Sequence, residues 1–462
     1  MRIPTRALGA AACAAALAAV AACGAPEPDR RPNAITVWTQ EDMPERLAVQ
    51  RELAAEFTER TGIAVELVGV AEDQTNQLII SAAASGTLPD VIGAIPLALV
   101  HGLAANELID TGANAAIIDA LGPDTFAERA LELTRDGDAQ LAVPSDGYAQ
   151  MLLYRTDLFA EAGLDEPRTF ADVTAAARAL HGDGIAGFVG STTPGDAFTQ
   201  QTFEHFALAN GCELVDDAGE ITLETPACVE TLAFYADLVR DHSVSGAQDV
   251  DTTRATYFAG RAAMVVWSSF VLDELAGLRD DAAPSCPECV EDPRFLVDNT
   301  GVVTGMTGPD GSTPTQFGEI VSWSVIEDAN AEQAGRFVEF MMSEGYTDWL
   351  GFAPEGKVPT RTGTADAPTA YADAWRELPA GVDTRAPLTD FYPPDVLDEL
   401  VSSVDTLDRW GIPQGQGALV GATLGELPVP QAVGAMAGGE LDPAEAAEQA
   451  AGDVAEIRDS LR

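Results

Sequence analysis

A strand–helix alternation beginning at residue 34 constrains this chain more than any other feature. Ala34-Ile35-Thr36-Val37-Trp38 is a short apolar, β-branched run of the kind that forms a buried strand. Val49, Leu53 and Phe57 then fall four apart on one helical face, and Gly62 ends that helix. Ile63-Ala64-Val65-Glu66-Leu67-Val68 reads as a second strand and Asp90-Val91-Ile92-Gly93 as a third. Strands alternating with helices predict an α/β sheet. Further on, Leu141-Ala142-Val143-Pro144 is expected to end one strand, and Met151-Leu152-Leu153-Tyr154 to begin another after a polar turn. Helical spacing recurs at Val229, Leu232, Ala233 and Ala236, and again at Ala334, Phe337, Val338 and Met341. Strand-like runs at Ala262–Trp267 and Ile320–Val325 lie between them, and an Ala/Glu-rich helix is expected from Pro443 onward.

The residues before this rhythm are of another kind. Arg2 and Arg6 precede an uncharged Ala-rich run over Ala7–Ala19, and Val20-Ala21-Ala22-Cys23 follows at once. That is the layout of a secretory signal, too short to cross about 30 Å of hydrocarbon comfortably. The Cys directly after Val-Ala-Ala resembles a bacterial lipobox. The resemblance implies cleavage before Cys23, lipid on Cys23, and a mature domain tethered to the outer face of the cytoplasmic membrane. On this reading residues 1–22 are a lipoprotein signal peptide and residues 23–33, Pro-rich and charged, are the tether.

The charge excludes one class of partner. The chain carries 74 acidic against 25 basic residues, a net of −49, and its one lysine is Lys357. Such a surface repels phosphate backbones, so nucleic acid is not expected as a partner. The acids are spread along the whole chain, which favours a solvated acidic shell over a dedicated cation-binding block. Of the six cysteines, Cys13 belongs to the signal and Cys23 to the lipid site, leaving Cys212, Cys228, Cys286 and Cys289. An even remainder outside the cytoplasm predicts two disulfides, with three connectivities open. Cys212 and Cys228 flank a turn-rich segment that closes easily, and Cys286-Pro287-Glu288-Cys289 is read as a structural disulfide. Zinc would need two further ligands, and His101, His181, His205 and His242 are scattered. Neither a metal nor a cofactor is expected.

Several segments, in order, resemble the extracellular family 1 (sugar-binding) solute-binding proteins of ABC importers. They are Ile35-Thr36-Val37-Trp38, the Glu45–Thr61 helix, and Gly86-Thr87-Leu88-Pro89-Asp90-Val91. Val143-Pro144 with Leu153-Tyr154-Arg155-Thr156-Asp157-Leu158-Phe159 follows, then Asn210-Gly211-Cys212 through Glu230, then Pro354-Glu355-Gly356-Lys357-Val358-Pro359-Thr360-Arg361. The resemblance implies a two-lobed periplasmic-binding-protein-like α/β fold (type II) whose lobes are joined by crossover hinge strands. It places lobe one at 34–145 with 320–372 and lobe two at 146–319 with 373–462. It also implies a non-enzymatic monomer that closes on a carbohydrate and presents it to ABC permease subunits.

A sugar site needs paired hydrogen-bond acceptors beside aromatic planes, on loops at strand ends. The candidates are Gln40 and Glu41 after the first strand, Asp146 and Tyr148 at the first crossover, Trp267 and Ser268, Trp323, and Arg361. Glu41 matches a position where related binders place an acidic hydroxyl acceptor. Trp38 and Trp349 are assigned to the core, Asp90 to a strand end that caps a helix, and Lys357 to either the cleft or the surface. The segment Gly93-Ala94-Ile95-Pro96 lacks the acid that many oligosaccharide binders of this family carry there, which suggests a more apolar wall. A cationic solute such as a polyamine is the alternative cargo, since acids and aromatic rings also suit an ammonium group. A hydrolase is disfavoured by the absence of a Gly-x-Ser-x-Gly elbow or an HExxH motif.

Overall fold

The computed structural model describes residues 33–461, so the signal peptide, the lipobox and Cys23 lie outside the described residues. The strands of the main sheet are β1 (Ala34–Thr39), β2 (Ala64–Gly69), β3 (Val91–Pro96), β4 (Val143–Arg155), β5 (Met264–Ser268), β6 (Thr300–Val303), β7 (Gln316–Val325), β8 (Val358–Pro359) and β9 (Leu407–Asp408). They join in one sheet, along which β8, β4, β7, β3, β1 and β2 are neighbours in that order. β1 lies parallel to both β2 and β3, and helices connect them, as the alternation predicts.

The helix Pro44–Thr61 shows how locally this half is encoded. Pro44 stands at its first turn, Gly62 closes it in the left-handed conformation, and Leu53 and Phe57 are buried. Phe57 meets Phe337 and Phe340 of the helix Ala331–Met341, where Ala334, Phe337, Val338 and Met341 are all buried as their spacing predicts.

Residues 141–154 correct the sequence reading. Instead of one strand ending at Pro144 and another starting at Met151, β4 runs unbroken through thirteen residues. Val143 to Ala149 pair antiparallel with β7, from Trp323 back to Gly318. From Gln150 onward the strand changes partners, taking β5 along one edge and β6 along the other. The polar stretch Ser145-Asp146-Gly147-Tyr148 is thus strand rather than turn, because backbone partners on both sides satisfy its amides. β8 pairs with Asp146 and Gly147 on the edge opposite β7. At Gly147 a Cβ would stand 3.0 Å from the Glu319 carbonyl oxygen, so the two strands approach more closely than a side chain allows.

A second correction concerns the helix Pro226–Ala236. It buries Cys228, Thr231, Leu232, Tyr235 and Ala236, so Leu232 and Ala236 fall inside while Val229 is half-buried and Ala233 is exposed. Two tethers set this rotation. Cys228 is bonded to Cys212, and the Tyr235 hydroxyl donates to the Ser191 carbonyl at 2.6 Å. Cys286 and Cys289 form the second disulfide. The helix Pro443–Ser460, capped by Asp442 with Glu445 in a reciprocal capping box, lays an alanine-rich face against the helices 226–236 and 428–437. No helix among the described residues is long and apolar enough to cross a membrane.

Replacing Cys212 and Cys228 together by alanine frees a loop of 16 residues and the orientation of the helix behind it. We expect a loss of about 3 kcal/mol in urea unfolding, and a change near zero would show that the crosslink does not constrain the unfolded chain.

Candidate ligand-binding cleft

The loop leaving β1 is held from three sides. The Gln40 amide N–H donates to the Gly93 carbonyl at 3.2 Å, the Gln40 side chain donates to Thr75 Oγ1, and Gln50 Nε2 donates to the Glu41 carbonyl. This aims the Glu41 carboxylate inward, where Oε2 meets Arg46 and Oε1 meets Lys357 Nζ, each at 2.6 Å. Lys357 also lies 3.2 Å from Asp146 Oδ2 on β4 and 4.5 Å from the centre of the Trp349 ring. Asp146 completes the cluster by accepting hydrogen bonds at Oδ1 from Trp349 Nε1 and from Ser145 Oγ, both at 2.6 Å.

All three ions are buried, and the electrostatics follow. Burial alone would raise the Glu41 pKa, but Lys357 and Arg46 outweigh it and hold the group at about 2. Burial pushes the Lys357 ammonium down, while Asp146 and Glu41 draw it above its ordinary value. Removing one member of such a cluster would leave an uncompensated charge, at a cost of about 3–5 kcal/mol.

A different chemistry gathers where β4 changes partners. Tyr148, half-buried, meets the Phe270 ring edge-on at 5.4 Å. Phe270 in turn covers Gly356, where any Cβ would collide with its ring. Burial raises the Tyr148 pKa, and Glu319 opposite it on β7 adds to the rise. Gln150, fully buried, donates to Gln201 Oε1 at 3.2 Å, while its own Oε1 has no partner. Gln200 Oε1 and Ser269 Oγ are buried and unpartnered as well. Ser268 faces Gln150 in register, and Trp267 is 7% exposed between Phe198 and Arg254, its Nε1 donating to the Val250 carbonyl.

Other candidates are engaged elsewhere. Trp323 is 1% exposed and packs on Trp349, and its ring occupies the space that any side chain at residue 93 would need. This accounts for the missing acid after Pro-Asp-Val: Gly93 is there to admit an indole. Arg361 is no surface charge. It is buried, donates to Thr125 Oγ1 and to the carbonyls of Leu121 and Met342, and lies against Phe126 and Tyr371. Trp349 is in the core as expected, and Trp38 is half-buried. Asp90 accepts from the backbone of Thr36 and Asn330, the latter at the start of the helix Ala331–Met341. The sequence reading passed over Phe270, Gln150 and Gln201. Phe270 carried a faint signal, since it closes the same Trp267-Ser268-Ser269 turn. It also passed over Arg409, which is buried between Glu319 and Glu204 above the Phe317 ring.

Three more carboxylates lie buried beside Phe270 and Gly356: Asp273, Glu274 and Glu355. Burial raises them to about 6, 7 and 8, and the groups facing them are Arg254, Arg279, Arg46 and Asp281. Glu355 in the fold keeps a proton that the unfolded chain releases above about pH 4.5, so its stabilising contribution is lost as pH rises toward 8. We therefore expect Glu355→Gln to flatten the fall in Tm between pH 6.5 and 8.5. An unchanged slope would show that Glu355 does not hold its proton there.

The comparisons with known proteins agree with this architecture. The family model described as bacterial extracellular solute-binding protein matches residues 41–348. A putative ABC transporter periplasmic-binding protein, YcjN of Escherichia coli K12, is 28% identical over 327 residues, which is 68% of this chain and 70% of that protein. The cyclic α-maltosyl-1,6-maltose binding protein of Arthrobacter globiformis superposes with a TM-score of 0.68 at 20% identity, over 92% of this chain and 99% of that one. The GacH receptor of Streptomyces glaucescens, solved unliganded and with acarbose, gives 0.63 at 20% identity over 92% and 98%. The fold is the two-lobed periplasmic-binding type. By the extent of the family match, the chain belongs to the bacterial extracellular solute-binding proteins.

Proposed function

We propose that this protein captures a neutral carbohydrate between its lobes, without turnover, and delivers it to the permease subunits of an ABC importer. The observation that carries the reading is the site's chemistry where β4 changes partners. Aromatic rings at Tyr148, Phe270 and Trp267 stand close in the fold to amide and hydroxyl groups whose hydrogen-bonding capacity is unfilled, at Gln150 and Ser269. Flat rings suit the apolar faces of a pyranose, and unfilled neutral acceptors suit its hydroxyls. The carbohydrate cargo named for the structural neighbours, among them the laminaribiose bound to a sugar transporter of Arthrobacter chlorophenolicus (TM-score 0.64, 17% identity, 92% and 99% covered), supports the same class.

Lobe one in this proposal is 34–145 with 320–372, and lobe two is 146–319 with 373–462. The exchange of partners at Ala149 and Gln150 supports the first boundary. Two bonds support assigning the later chain to lobe two: Tyr392 donates to the Leu272 carbonyl and Thr304 donates to Glu399. Outside the cell the protein acts as a monomer held by lipid on Cys23, as the lipobox-like Val20-Ala21-Ala22-Cys23 implies. Replacing Cys23 by serine is expected to release it from the membrane fraction into the medium.

The test is a thermal-shift screen against mono- and oligosaccharides and polyamines. A neutral sugar is expected to raise Tm by several degrees, and a response to amines alone would sink the carbohydrate reading. For the sugar so found, Tyr148→Ala and Phe270→Ala should each weaken binding about tenfold, or about 1.4 kcal/mol. Calorimetric affinities unchanged in both variants would move the site elsewhere.

A further inference from the structure

We propose that Lys357 sets the selectivity of this cleft by filling, from within the chain, a cation box that would otherwise admit an amine solute. The proposal rests on the reading of the Glu41 loop as part of the cleft. Its first support is a matter of usage. Lys357 is the single lysine of the chain, and every other basic side chain is arginine. A chain that uses arginine everywhere else keeps lysine where the guanidinium fork does not serve. Arginine needs coplanar acceptors for a rigid planar donor set, whereas an ammonium is a compact charge with three donors pointing apart.

The surroundings of Lys357 fit the second description. Glu41 Oε1 lies 2.6 Å from Nζ, Asp146 Oδ2 lies 3.2 Å away, and the Trp349 ring centre lies 4.5 Å away. These walls come from the loop after β1, from β4, and from the helix Tyr346–Leu350. The residue is 3% exposed, so water does not supply the partners of its ammonium. Two carboxylates and an indole face are the components by which proteins recognise free ammonium ligands. Here the guest is covalently attached. With the box occupied, the charges of Glu41 and Asp146 are matched, and a diffusing amine gains no unpaired carboxylate. A neutral polyol still meets Glu41 as a hydrogen-bond acceptor whose charge is held by Lys357 and Arg46.

Removing the guest while keeping the box tests this directly. Lys357→Ala is melted in n-propylammonium chloride and, as control, in matched sodium chloride with n-propanol. Propylammonium is expected to raise the variant's Tm by several degrees beyond the control and to do nothing selective to the wild-type protein. Lys357→Arg should not reproduce the wild-type Tm. Equal shifts with amine and control overturn the proposal. If Lys357→Ala does not fold on its own, its refolding is compared in n-propylammonium chloride and in the control, and equal recovery in the two overturns the proposal. In a second arm, 1,4-diaminobutane is titrated into both proteins. We expect at least about tenfold tighter binding by the variant than by wild type, and diamine binding by the unaltered protein overturns the proposal. A wild-type protein that binds no sugar defeats the carbohydrate reading, while the amine rescue is read independently of it.

Discussion

The Lys357 ammonium is the point on which the cleft's construction depends. It connects the loop after β1 to β4, and its own backbone leads into β8, which pairs with Asp146 and Gly147. Three segments far apart in the chain therefore meet at one buried charge. Its partners are fixed in turn: Glu41 by Arg46 and the Gln50 contact, Asp146 by Trp349 and Ser145. A buried ion is costly to desolvate, and only a complete set of partners offsets the cost. That requirement is what makes the cluster specific, because no slipped register of β4 against β8 would put Asp146 beside the ammonium.

Around this point the backbone is continuous strand. In the proposed division into lobes, β4 crosses from one lobe to the other with no loop, and its change of pairing partners falls at Ala149 and Gln150. Side chains at this passage are small or neutral: Gly147, Ala149, Gln150 and Gly318. A residue larger than glycine at 147 or 318 would press on the Glu319 carbonyl or on Leu407, respectively. The same economy of space explains Gly93 and Gly356, which lie under Trp323 and Phe270.

Much of the first half was legible in sequence because its signals are local. The β1 run, the helix closed by Gly62, and the buried positions of the helix 331–341 each follow from spacing and caps within one segment. The misreadings share a cause, which is a partner distant in sequence. Ser145-Asp146-Gly147-Tyr148 looks like a turn until β7 and β8 supply its hydrogen bonds. In the helix 226–236 the spacing of Val229, Leu232, Ala233 and Ala236 finds Leu232 and Ala236 inside, but Cys212 turns Cys228 inward and leaves Ala233 exposed. Trp323 looks free to stack on a ligand until Gly93 is found beneath it. Gln150 and Gln201 gave no signal at all, since an isolated glutamine in a strand or helix has no periodic or motif signature. Their role becomes visible only as unfilled hydrogen-bonding capacity in a folded chain.

The chain's acidity and the neutrality of the proposed cleft floor need to be reconciled, and the buried charges show how this is done. Inside, acids are matched or kept protonated: Glu41 and Asp146 by Lys357, Glu319 and Glu204 by Arg409, and Glu355 by burial, which raises it to about 8. The acids of the exterior stand in water, where screening limits their reach to roughly 8–10 Å at moderate salt. A site lined by Tyr148, Gln150, Gln201 and Phe270 can then present no net charge to its ligand although the chain as a whole carries −49. Recognition of a polyol by amides and rings is insensitive to ionic strength, whereas recognition by charge is not. In the proposed site, an acidic exterior around a neutral cleft lets solubility and ligand binding be set independently, with the chain's single lysine marking the boundary between them.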